Sequence, residues 1–127
     1  MGGSPVASPC SGIQDLKTSR RSWGIDALGT GVVEVELHSG IVGGGLSTGG
    51  APATIVVEEH LARFVEGQDV HNIELIWESM FTASSCNGSK GLAMNALSAI
   101  DLALWDALGK VKGEPVYNLL GGKTKDA

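Results

Sequence analysis

The sequence predicts an α+β domain in which an antiparallel β-hairpin, the remnant of a small meander sheet, is followed by a three-helix bundle. Apolar and polar residues alternate from Gly31 to His38, and three later segments repeat their apolar residues at helical spacing. No strand returns between those helices, which argues against alternating β-α units.

Residues 1–18 are rich in Gly, Ser and Pro, with isolated apolar residues that cannot bury a continuous face, and read as a disordered tail. In the first strand Val33, Val35 and Leu37 share one face, and Glu34, Glu36 and His38 the other. Ser39-Gly40 forms the turn, and Ile41 to Thr48 returns as the partner strand. Gly43, Gly44 and Gly45 are expected to weaken it. A two-stranded ribbon is marginal alone, so helices are expected on one face, and a third strand is expected to be missing.

After the loop Gly49-Gly50-Ala51-Pro52, Val57, Leu61, Phe64 and Val65 line one side of an amphipathic helix that stops at Gly67, with Glu58, Glu59, Arg63 and Glu66 opposite. Asp69 or Asn72 is suited to cap the next helix, whose apolar stripe is Ile73, Ile76, Trp77, Met80 and Phe81 and which ends before Cys86-Asn87-Gly88. From Gly91 to Lys112, Leu92, Leu97, Ile100, Leu104, Trp105 and Leu108 are joined by alanines, the pattern of a central helix buried on most sides. Gly113 closes it, Glu114-Pro115 opens a short further turn, and Gly121-Gly122 ends that turn.

Composition narrows the function. The 127 residues carry nine Lys and Arg against 14 Asp and Glu, a formal charge of −5, which gives no broad attraction to nucleic-acid phosphates or anionic membrane. The apolar stretch from Leu92 to Leu108 is interrupted by Asn95, Ser98, Asp101 and Asp106 and is read as a core helix, not a membrane span. Cys10 and Cys86 form neither a disulfide framework nor a zinc clip, and the N-terminus resembles no secretory signal, so a cytoplasmic location is expected.

Motifs for chemistry are sparse. Glu34, Glu36 and His38 have a spacing that can gather ligands on one strand face, but a solvated face is the better reading, and no metal site is expected. Glu58-Glu59-His60 lacks the paired histidines of a zinc helix, and neither Gly43 to Gly50 nor Gly122-Lys123-Thr124 fits a phosphate loop. Asn87-Gly88-Ser89 reads as a tight turn, and His60 and His71 stand alone. Asp106 and Lys110 are spaced to pair on an exposed strip, whereas Asp101 is expected to need a buried donor from a neighbouring element. No catalytic triad is present. Arg20, Arg21 and Trp23 form a compact cationic and aromatic patch suited to an anionic group.

Ala96 to Lys110, with Pro115-Val116 and Leu119 to Gly122, resembles the end of the N-terminal capping domain in the mandelate racemase/muconate lactonizing enzyme branch of the enolase superfamily. Thr18 to Ile25, Leu28 to Thr30, Val33 to Glu36, Ser47-Thr48 and Gly91 to Asn95 look most like the L-rhamnonate dehydratase subgroup. The resemblance implies an α+β cap over a (β/α)8-type barrel whose carboxylates hold Mg²⁺. Barrel bases then remove the proton α to the substrate carboxylate, and loss of the β-hydroxyl gives a 2-keto-3-deoxy sugar acid.

On this reading residues 19–122 are the cap, lacking its first strand, and residues 123–127 begin a linker to an absent barrel. The chain is then expected to be inactive alone, with no catalytic residue or metal ligand of its own. Its partners are a sugar acid such as L-rhamnonate in the parent enzyme, and a barrel domain or a homo-oligomer partner. By resemblance Arg20 matches an arginine that reaches over the barrel mouth to the substrate, and its fork suits a carboxylate. Ser47 to Gly50 matches a loop that approaches the pocket. A protein-interaction module, or a relic derived from such a cap, is the alternative.

Overall fold

The structure, a computed structural model, describes residues 29–125. Strand β1 (Gly31–Glu36) and strand β2 (Val42–Ser47) form an antiparallel pair in which Val33 faces Gly45 and Val35 faces Gly43. The turn between them is fixed by Leu37 N–H donating to Ile41 O (2.9 Å) and by Gly40, whose φ of +82° a β-carbon would oppose.

Helix α1 (Gly50–Val56) continues through a widened turn at Val57–Leu61 and a tight one at Ala62–Phe64, then breaks at Gly67. Leu61 is fully buried, Val57, Phe64 and Val65 are half-buried, and Glu58, Glu59, Arg63 and Glu66 face solvent. Helix α2 (Ile73–Ala83) buries Ile73, Ile76 and Met80, while Trp77 and Phe81 stack on each other with ring centroids 4.9 Å apart. Neither proposed cap acts through its side chain. Asn72 occupies the N-cap position without a side-chain bond, and Asp69 instead accepts from the backbone N–H of His71 at 2.9 Å.

Helix α3 (Leu92–Lys112) touches both strands and each of the other helices, and carries most of the buried core. Leu92 is an exception to its expected burial, because it lies in the first turn at the edge of the fold, 38% exposed. Gly113 closes α3 at φ +65°, where Glu114 N–H reaches back to Gly109 O at 3.0 Å, and helix α4 (Val116–Leu119) follows Pro115.

The glycines of β2 do the reverse of weakening it. Val33, Val35, Gly43 and Gly45 point to the inner face, and α3 lies on that face with Ala99, Ala103 and Ala107 toward the strand. A β-carbon on Gly43 would come within 2.6 Å of Ala107 N and 2.7 Å of its Cβ. One on Gly45 would come within 2.9 Å of Ala103 N and overlap Ala99 O. The strand therefore needs glycine at both positions, so that helix backbone and strand backbone can meet without intervening side chains. Gly44, on the opposite face, has open space.

Gly43→Ala and Gly45→Ala are expected to cost about 1–3 kcal/mol or more, since the obstructing atoms are largely backbone and cannot rotate away. Gly44→Ala is expected to be neutral or to stabilise by about 0.5–1 kcal/mol. Thermal unfolding of the three variants checks this, and equal effects at all three positions would contradict the seam.

Candidate functional site

Polar chemistry in the described residues collects at a few places. At the end of β2 the chain turns through Thr48, Gly49 and Gly50 into α1. Ser47 is buried and its Oγ accepts from Gly49 N–H at 3.2 Å. Gly49 packs so closely on Ala53 and Asn95 that a β-carbon would overlap the Ala53 methyl, and Gly50 takes a φ of +54°. The loop that the resemblance directs toward a substrate pocket is thus wedged against the first turns of α1 and α3. It offers a hydroxyl and backbone amides, with no acid or base beside them.

Asp106 and Lys110 pair one helical turn apart at 2.7 Å, as their spacing predicts, and also reach across to the sheet. Asp106 Oδ2 accepts from Gly44 N–H at 2.9 Å, and Lys110 Nζ donates to Val42 O at 2.7 Å. The Leu37–Ile41 bond sets the alternation of the ladder, so the backbone groups of Val33 and Val35 face β2 while those of Val42 and Gly44 face away from β1. One carboxylate and one ammonium therefore satisfy part of the edge that another strand would occupy. The Lys110 ammonium, and then the Gly44 amide, hold the Asp106 carboxyl below the usual carboxylate range.

Asp101 behaves in the opposite sense. No described residue donates a hydrogen bond to it, contrary to the expected buried partner, because the neighbouring helix presents another acid, Glu74. Partial burial, and then the Glu74 charge, push its carboxyl up.

Both histidines have local partners and neither stands alone. His71 Nδ1 lies 2.7 Å from Asp69 Oδ1, on an exposed turn. The backbone N–H of His71, and then its ring, lower the Asp69 carboxyl. His60 Nδ1 lies 2.9 Å from the Arg63 guanidinium. Arginine can only donate, so Nδ1 accepts and the ring proton sits on Nε2, which is buried with no described acceptor.

Glu34, Glu36 and His38 are exposed, and the described residues contain no cluster of three His, Cys, Asp or Glu suited to a metal ion. Arg20, the sequence-predicted substrate contact, lies outside the described residues, as do Arg21 and Trp23. A cleft of about 380 Å³ runs beside β1, between Val35 on the strand and Leu37 just past it on one side and Val57, Val65 and Val70 on the other. Pattern reading missed this cleft, although a two-stranded ribbon expected to lack a third strand was its signal. The described serine and threonine hydroxyls that hydrogen-bond do so with backbone groups.

Comparison with known proteins agrees with that architecture. The family described as "Mandelate racemase / muconate lactonizing enzyme, N-terminal domain" matches residues 14–121. The L-rhamnonate dehydratase of Saccharopolyspora erythraea is 53% identical over 121 residues, covering 95% of this chain but 31% of that protein. The crystal structure of L-rhamnonate dehydratase from Gibberella zeae superposes with a TM-score of 0.85 at 48% identity, over 97% of this chain and 31% of the other. A second structure of the Gibberella zeae enzyme, complexed with Mg, gives 0.84 at the same identity, over 95% and 30%. The chain spans less than a third of the length of these relatives.

Asp101→Asn is expected to raise stability at neutral pH. Its folded-state carboxyl is pushed up, so ionisation there opposes folding, and the advantage of the variant shrinks as pH falls and wild-type Asp101 takes up its proton. Asp106→Ala is expected to lose about 0.5–1 kcal/mol near neutral pH. Because the Asp106 carboxyl is held low, that contribution is present above the ordinary carboxylate range and vanishes as pH drops below it. Denaturant titrations of both variants between about pH 7 and pH 3 read the two opposite slopes.

Proposed function

Because the chain belongs to the mandelate racemase/muconate lactonizing enzyme family through that family's N-terminal domain, we propose that it is the capping portion of an acid-sugar dehydratase acting on L-rhamnonate. The observation that carries this is the agreement of fold and sequence with L-rhamnonate dehydratases over nearly the whole chain. In the intact enzyme the reaction is abstraction of the proton α to the carboxylate, followed by loss of the β-hydroxyl as water. The product is a 2-keto-3-deoxy sugar acid.

The described residues do not fit a Mg²⁺ site: they hold no cluster of three His, Cys, Asp or Glu suited to a metal ion, and Asp106 and Asp69 are already engaged by Lys110, Gly44 and His71. We assign the metal to residues beyond this cap, where it supplies charge stabilisation for the enolate. This chain's share is positioning. Arg20 offers two parallel donors to the substrate carboxylate, and the Ser47–Gly50 loop, held by Ala53 and Asn95, helps to close the pocket from the cap side. The chain alone is inactive on this reading, and the whole enzyme works in the cytoplasm.

In the intact enzyme carrying this cap, Arg20→Met is expected to raise KM for L-rhamnonate about tenfold or more, with Arg20→Lys retaining part of the effect. An unchanged KM would remove Arg20 from the substrate site. The 127-residue chain, given Mg²⁺ and L-rhamnonate, is expected to form no 2-keto acid, and turnover by it would overturn the assignment of catalysis to a barrel domain.

A further inference from the structure

Helices α2 and α3 are joined by residues 84–91, which pass through one tight turn, Ser85–Asn87. Its bonds are local: Asn87 N–H donates to Ser84 O at 2.9 Å, and Gly88 N–H to Ser85 O at 3.1 Å. Asn87 and Gly88 are exposed. Gly88 takes a φ of +83°, and apart from its chain neighbours no atom lies within 4 Å of the place a β-carbon would occupy. The backbone nitrogen that follows the Asn87 carboxamide therefore has no side chain over it. The other asparagines differ. Asn72, Asn95 and Asn118 precede Ile73, Ala96 and Leu119, each a helical residue whose side chain screens its own backbone nitrogen.

We propose that Asn87 is a self-modification site, at which the chain converts a neutral carboxamide into a carboxylate with water as the only co-reactant. The backbone nitrogen of Gly88 attacks Cγ of Asn87. A new N–Cγ bond forms, the Cγ–Nδ2 bond breaks, and the Gly88 amide proton leaves with the side-chain nitrogen as ammonia. The five-membered imide that results is opened by water at either of its carbonyl carbons. One opening leaves aspartate and the other isoaspartate, which carries an extra methylene in the backbone. No electron is transferred, and each event makes the chain one charge more negative than its formal −5.

The attack needs the Gly88–Ser85 bond to open, and a single bond in an exposed connection opens at little cost. The product also meets a favourable field. Asn87 shares a surface depression of about 330 Å³ with Lys90, Leu92 and Ala93, and no Asp or Glu lines it. Helix α3 begins there with no acid in its first turn and no side-chain cap on its amides. A carboxylate at position 87 thus stands beside an ammonium and near the positive end of a 21-residue helix. The folded chain therefore both permits the step and accommodates its result.

The test incubates the full chain at neutral and mildly alkaline pH and follows a tryptic digest by mass spectrometry. A gain of about one dalton is expected in the peptide spanning residues 64–90, located at Asn87 by fragmentation. It is expected to accumulate faster at higher pH, because the attacking nitrogen must shed its proton, and about tenfold or more faster than at Asn72, Asn95 or Asn118. Asn87→Gln, whose ring would need six members, is expected to abolish it. The native chain is expected to react no more than about tenfold slower than the chain in denaturant. A wider gap would mean that the folded turn locks Asn87, and equal rates at the other asparagines would remove the site's selectivity; either overturns the proposal. Asn87→Asp is expected to melt no lower than the parent chain, and a lower melting temperature would overturn the favourable placement of the new charge.

Discussion

The fold depends on one contact, the backbone of β2 lying directly on the backbone of α3. Ala99, Ala103 and Ala107 recur every four residues along the helix, and Gly43 and Gly45 recur every two along the strand, so two different periods supply small residues along one line. With no side chains between them, helix and sheet approach closely enough for Asp106 and Lys110 to reach around to the strand edge. The same approach sets the depth of the core that Ile76, Leu61 and Met80 complete from the other helices.

That closeness also fixes the turn by which the chain leaves the sheet. β2 runs straight into the Ser47–Gly50 loop, which is held by Gly49 against Ala53 and Asn95, and Asn95 belongs to the same helix on which β2 rests. The loop is therefore located by both of its flanking elements. A loop fixed in this way has already lost its conformational entropy before anything binds to it.

The hairpin, the three long helical segments and the closing role of Gly113 were legible in the sequence because each is a local pattern: alternation, a stripe at helical spacing, a residue able to take positive φ. The glycines of β2 misled for the same reason. Read locally, each glycine subtracts strand propensity; their value lies in a helix that begins about fifty residues later. Asp69 was a sound cap candidate by type, but its carboxylate is used by the nearer His71 N–H. The Asp106–Lys110 spacing gave the pair but not its second grip on Val42 and Gly44, since a helical repeat holds no information about a strand edge. Asp101 lacks the expected donor because Glu74 lies on the adjoining helix, a juxtaposition that only packing reveals. The family resemblance supplied what residue patterns did not, namely an expected substrate class and an expected role for Arg20, which lies outside the described residues.

The unequal edges of the sheet set a limit on self-assembly. Open-ended stacking of strands requires each molecule to offer two free edges, one to receive and one to pass on. Here the Asp106–Lys110 pair occupies the Gly44 N–H and the Val42 C=O on one side, and no described residue occupies the matching groups of β1. Two such molecules that meet edge to edge use up the free side of each, and the pairing closes at a dimer. A salt-bridged clamp on one strand thus works as a chain terminator, favouring a finite complex over a fibre.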